Sequence, residues 1–370
     1  MNASPKAEVI HYVQEIKGGF IVKKLITLLM LIVLVGAAAI GCGQQPAEAP
    51  AATGEETYSW RFAHEEIDGS VQDLYVKKFK EVIEEKSGGK INIEIYPVGQ
   101  IGDALQQAEI LQNGGIEFAI VSPGNTGTVV PENQLFSLHF LFSDDMDKNA
   151  EIFKNSVALN EMLSAKYLEK NIQVLAYWTE GAMQWTSNKP VTTPAEWKGM
   201  KMRTMQSPMI VAAYEAYGAN PTPVPYMEVY SGLQLNMIEG QENPLFAIEE
   251  MKFYEVQKYL TLASSNLFMT TTATNPDFFN GLPADIQQMV LDTIDELRPY
   301  SFEIQADLNG AALDKIKAAS DIEIVELTPE QRKAFQAASV AAYDRYAEVV
   351  GADGKAILDK LIEEVAEMTK

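Results

Sequence analysis

From Tyr58 onward the apolar residues switch repeatedly between the spacing of a strand and that of a helix, which restricts this chain to a layered α/β fold. Ser59–Ala63 is a short strand, after which Val71, Tyr75, Phe79, Val82 and Ile83 recur at helical spacing until Gly88-Gly89 stops them. Ile91, Ile93 and Ile95 then alternate with polar residues, as a half-buried strand requires. Asp103 can cap a second helix ending at Gly114-Gly115, and Ile116–Val121 has the near-continuous apolar run of a strand inside a parallel sheet. The pattern restarts at Ile172–Trp178. Thr193-Pro194-Ala195-Glu196 carries helix-start signals, Met200–Met205 is a short strand, and Ser207-Pro208 opens a helix that closes at Gly218. Beyond Pro283 the chain reads as helical, with kinks or breaks expected at Pro299 and Gly310 and a fresh start at Thr328-Pro329.

The segment before Tyr58 is an address. Lys23 and Lys24 precede an apolar run, Leu25–Ile40, that is short for a spanning helix and ends in Ala39-Ile40-Gly41-Cys42. That order is a secretory signal, and its last four residues resemble the lipobox of bacterial lipoproteins, in which the cysteine is lipidated. Residues 1–41 are therefore expected to be an upstream extension plus a lipoprotein signal, with translation beginning near Val22. Residues 42–57 would be a lipidated Cys42 and a tether too rich in Ala, Pro, Glu and Gln to bury a core.

Charge and cysteine content exclude several classes. Lys and Arg total 29 against 51 Asp and Glu, and a net charge of -22 opposes a phosphate backbone, so nucleic acid is not an expected partner. One cysteine allows no internal disulfide and no thiolate metal cage, and three histidines leave few placements for a catalytic triad. Glu65/Glu66 and Glu239/Glu242 could be read as acid–base pairs, but such pairs arise by chance in so acidic a chain. No nucleophile with a base accompanies them. The expectation is a protein without catalysis, metal or other cofactor.

Gly218-Ala219-Asn220-Pro221-Thr222-Pro223, Tyr226-Met227-Glu228-Val229-Tyr230, Gly240-Gln241-Glu242-Asn243-Pro244 and the run from Lys252 to Leu260, in that order, resemble the solute-binding proteins of tripartite ATP-independent periplasmic (TRAP) transporters. Arg61-Phe62-Ala63-His64, Tyr96-Pro97 and Ser122-Pro123-Gly124 resemble the same family. The resemblance implies a two-lobed periplasmic-binding-protein fold with crossing hinge strands and a long connecting helix. Lobe I is expected to comprise 58–180 plus 269–308, and lobe II 181–268 plus 309–370. It further implies that the protein clamps an organic acid in the interlobe cleft and delivers it to a TRAP permease; the expectation is a monomer, which the lipobox-like segment would hold to a membrane in the periplasm by its lipid alone. A ligand-loaded sensor subunit that docks on a receptor shares every binding feature and is the alternative to transport.

The resemblance also places residues. Arg203, in Lys201-Met202-Arg203-Thr204, stands where the family takes the ligand carboxylate, a task suited to the planar two-donor fork of a guanidinium. Of five arginines only Arg61 and Arg203 precede the terminal helices. Asn243 matches a cleft asparagine that donates to the same carboxylate, and Tyr226 a cleft aromatic. Gln206, Ser122 and Asn125 are expected as polar contacts at the carboxyl ends of strands. Met183 stands where many members carry a second arginine, with Trp185 two residues on; a second ligand carboxylate there would be desolvated without a partner. A core role for Met183 and Trp185 is the alternative. Glu65, with Glu66 beside it, could meet a ligand ammonium or hydroxyls. The expected ligand is a monocarboxylate with an aromatic or apolar body, such as an aromatic amino acid or 2-oxo acid, with a uronate or C4-dicarboxylate as the alternative.

Overall fold

A computed structural model describes residues Thr57–Lys370; the signal, Cys42 and all of the tether before Thr57 lie outside the described residues. Eleven strands are described: β1 Tyr58–Ala63, β2 Ile91–Tyr96, β3 Phe118–Val121, β4 Gln173–Ala182, β5 Gln184–Ser187, β6 Lys201–Thr204, β7 Asn220–Pro223, β8 Gly240–Asn243, β9 Tyr259–Leu262, β10 Leu267–Thr274 and β11 Glu323–Glu326. They form two sheets, in the orders β2-β1-β3-β10-β4 and β11-β9-β5-β8-β6-β7. β1 runs parallel to both β2 and β3, whereas β10 is antiparallel to β3 and β4. Among the described residues no helix is long and apolar enough to cross a membrane.

Local sequence explains the first sheet. Ser70 caps helix α1, Val71–Lys86, by accepting from the Asp73 amide, and the helix turns Phe79 onto Phe62 with ring centroids 5.2 Å apart. Asp103 and Gln106 close a capping box on α2, Ala104–Gln112. Thr193 and Glu196 close another, but it starts only a single 3-10 turn, Pro194–Trp197, because Gly199 at φ +72 turns the chain directly into β6. α3 spans Met146–Asn155, and α4 spans Pro208–Ala216, capped by Ser207 accepting from the Ile210 amide.

Two crossings join the sheets. The chain leaves β4 for β5 through Met183, and returns from β9 to β10 through 263–266. Gly181, just before the first crossing, has φ +114, and a Cβ there would stand 2.6 Å from Asn309 Nδ2. Only glycine meets both demands. Asn309 belongs to the long helix α5, Ala284–Ala319, and donates through Nδ2 to the Glu180 carbonyl at 2.8 Å.

No break occurs in α5: the helix passes Pro299 and Gly310 as one element of 36 residues. Proline removes one intrahelical hydrogen bond, and the burial of Val290, Ile294, Leu297 and Ile304 holds the helix together across it. The break falls instead in the last helix, α6, Pro329–Met368, where Gly351 has φ 71 and ψ -162. Residues 309–370 do not all pack on one side. Phe335 lies in a core with Trp185 of β5 and Trp197 of the 3-10 turn, whereas Ala342, Tyr346, Ile357, Leu358 and Leu361 share another with Ile152 and Phe153 of α3.

Candidate functional site

The carboxyl ends of β1, β3, β6 and β8 open on one cavity of about 270 Å3, whose wall includes Glu65, Glu66, Asn125, Arg203, Gln206, Tyr226, Asn243 and Phe268. Residues at the ends of strands from both sheets thus face the same space, as the general rule for ligand sites in open α/β sheets requires.

Arg203 is 3% exposed. Its Nε donates to the Val224 carbonyl at 2.9 Å, and neither terminal nitrogen has a hydrogen-bond or ion-pair partner among the described residues. The other four arginines all face carboxylates: Arg61 on Glu117, Arg298 on Asp295, Arg332 on Asp144 and Arg345 on Glu348. Burial lowers the Arg203 pKa to about 10, partly offset by Tyr226 and Glu242. A buried guanidinium with one nitrogen anchored and two free is arranged to take an anion bidentately.

Acids gather elsewhere on the wall. The Glu65 carboxylate accepts from the Ser122 amide at 3.0 Å and from Asn125 Nδ2 at 3.1 Å, while burial, opposed by those bonds, raises its pKa to about 7. Glu66 is raised well above the usual carboxylate range by burial and by the charge of Glu180. Behind the wall, Glu250 accepts from the Tyr226 hydroxyl at 3.2 Å and is pushed up to about 9 by burial and by Glu66. The cavity wall therefore offers a cation together with carboxyl groups that ionise reluctantly.

Six of the nine binding residues expected from sequence line this cavity: Arg203, Asn243, Tyr226, Glu65, Gln206 and Asn125. Asn243 already gives one amide hydrogen to Gln241 Oε1, which leaves its second hydrogen and its oxygen. Ser122 sits one layer behind, accepting at Oγ from Asn125 Nδ2 at 2.9 Å. Met183 does not reach the main cavity; it lines an adjoining pocket of about 20 Å3 with Ser122, Met205 and Phe268.

Trp185 is corrected outright. It is fully buried in the second core, with ring centroids 5.3 Å from Trp197 and 4.8 Å from Phe335, because β5 lies between β9 and β8 and both of its faces are covered. The apolar wall is supplied instead by Phe268, which sequence reasoning missed since nothing in the run Leu267-Phe268-Met269 separates a cleft residue from a core one. Neither described histidine lines the cavity.

The family model for bacterial extracellular solute-binding proteins, family 7, matches residues 62–349. The ectoine-binding periplasmic protein TeaA of Halomonas elongata is 39% identical over 82% of this chain and 88% of its own. The ectoine/5-hydroxyectoine-binding periplasmic protein UehA of Ruegeria pomeroyi is 37% identical over 85% of this chain and 93% of its own. Among solved structures, the ectoine-binding protein of the H. elongata TRAP transporter superposes with a TM-score of 0.81 at 37% identity, covering 84% of this chain and 99% of that one. A TRAP solute-binding protein from Desulfovibrio salexigens with bound orotic acid reaches 0.80 at 28% identity, covering 84% and 100%.

Proposed function

Because this chain belongs to the family 7 bacterial extracellular solute-binding proteins, the binding components of TRAP transporters, we propose that it captures a compact zwitterionic organic acid of the ectoine class and delivers it to a membrane permease. The observation that carries this reading is the pairing, on one cavity wall, of the unpartnered Arg203 fork with the carboxyl groups of Glu65 and Glu66. Ectoine bears a carboxylate beside a delocalised ring cation, so each end of such a ligand meets its complement, and the lone guanidinium is enough. Tyr226 and Phe268 supply the apolar faces for the ring. Arg203 and Asn243 hold the carboxylate, and Glu65, Glu66, Asn125 and Gln206 hold the cationic side.

The aromatic monocarboxylate expected from sequence loses its support, since Trp185 lies in the core. Relatives that bind ectoine favour the smaller, doubly charged ligand. A ligand that binds only the native state adds RT ln(1 + [L]/Kd) of stability, about 2.7 kcal/mol at a hundred times Kd. Ectoine is accordingly expected to raise the melting temperature, and succinate, galacturonate and indole-3-acetate to leave it nearly unchanged. Tighter binding of any of those three would sink the zwitterion assignment.

Delivery implies export, and the Ala39-Ile40-Gly41-Cys42 segment supports a lipid anchor on the outer side of a membrane. Cys42→Ser is expected to move the protein from the membrane to the soluble fraction of its host. Unchanged fractionation would remove the anchor from the proposal.

A further inference from the structure

Behind the acidic wall lies a carboxyl pair that ligand contact alone does not explain. Glu66, at the cavity, and Glu180 on β4, one residue before the crossing glycine, are bridged by Gln72, whose backbone N–H faces Glu66 and whose side chain donates to Glu180. Both are buried. Glu180 Oε1 accepts from Thr270 Oγ1 of β10 at 2.6 Å and from Gln72 Nε2 of α1 at 2.8 Å. Its Oε2 is buried and meets no amide, hydroxyl or ammonium donor among the described residues. Glu66 Oε2 accepts the Gln72 backbone N–H at 3.3 Å, and the Ser70 side chain also favours its charged form. Two buried carboxyl groups bridged by one glutamine, the first raised by the charge of the second, cannot both ionise cheaply, whereas one proton held between them supplies the donor that Oε2 lacks.

We propose that Glu66 and Glu180 hold a single proton between them while the cleft is empty, and release it to solvent when a cationic group of the ligand settles beside Glu66. This inference rests on the zwitterion reading of the ligand. No other group among the described residues neutralises the pair. Among the described residues no lysine, arginine or histidine is in ion-pair contact with Glu66 or Glu180. The other ionisable groups coupled to the pair from the neighbouring elements are Glu65 after β1, which acts on Glu180, and Glu250 and the Tyr226 hydroxyl, which feel Glu66; each carboxylate among them opposes a second negative charge. Arg203 lines the same cavity and is reserved by this reading for the ligand carboxylate. Glu180 touches the ligand nowhere; it is a positioning residue that sets the charge Glu66 can present, and through Thr270 it ties that charge to both strands that cross between the sheets.

The sign follows from linkage. The empty pair binds more protons than the occupied pair, so affinity rises with pH, by up to about tenfold per unit for one proton, and levels off once the empty pair is itself ionised. Ectoine titrations by calorimetry near neutral pH, in buffers of different ionisation enthalpy, count the protons directly. Wild type is expected to release about one per ectoine, and Glu180→Gln, which removes the like charge and can donate an amide hydrogen to Glu66, under about half of one. Ectoine binding without proton release in wild type, or equal release in both proteins, overturns the proton exchange and leaves the zwitterion reading standing. Failure of ectoine to bind wild type overturns both. Infrared difference spectra of wild type, occupied minus empty, need no variant: a protonated carboxyl band should vanish on binding, and its persistence refutes the exchange.

Discussion

Arg203→Ala is expected to weaken ectoine binding by about thirtyfold to several thousandfold, the equivalent of roughly 2–5 kcal/mol for truncating one member of a buried charge pair. The magnitude follows from the isolation of the site. No second guanidinium lines the cavity, and the other four arginines are committed to carboxylates elsewhere. Arg203→Lys should recover only part of the loss, since an ammonium cannot both hold the Val224 carbonyl and present a parallel pair of donors. Stability of the empty protein should change little, because the unliganded guanidinium is desolvated with a single hydrogen bond in return. An Arg203→Ala dissociation constant within about threefold of wild type would remove this residue from the site.

Trp185→Ala is expected to do the reverse. Removing a fully buried indole packed edge-on against Trp197 and Phe335 costs about 3–5 kcal/mol of folding stability, by the usual scale for large aromatic truncations in a core. The fraction that remains folded should bind ectoine as wild type does. Urea unfolding followed by tryptophan fluorescence measures the first quantity and calorimetry the second. Lost affinity without lost stability would return Trp185 to the cleft.

These two residues also mark how far the sequence could be read. Arg203 was legible because its motif is local and its chemistry is rare in this chain. Trp185 was not, because β5 is an interior strand buried on both faces, and alternation carries no information about which side is core and which is cleft. Helix α1 and strand β2 followed from periodicity, and β3 from its continuous apolar run, which is buried at every position. The unbroken course of α5 past Pro299 did not, because contacts outside the helix outweigh the lost hydrogen bond. Glu65 and Glu66 were visible as adjacent acids, yet their division of labour depends on partners far along the chain: Ser122 and Asn125 for one, Glu180 for the other. No local pattern links positions 72 and 180, which Gln72 joins in the fold.

The place of β10 has a consequence for biogenesis. It lies between β3 and β4, and its Thr271 hydroxyl reaches back 150 positions to the Val121 carbonyl. A nascent chain that has delivered everything up to Ser265 therefore holds β1, β2 and β3 with an open edge, and β4 with no strand beside it in that sheet. Such edges template wrong pairings, and closing a loop this long is slow. Maturation thus has a fixed checkpoint near Thr274, and truncations ending before it should yield aggregates, however complete their first half looks in sequence.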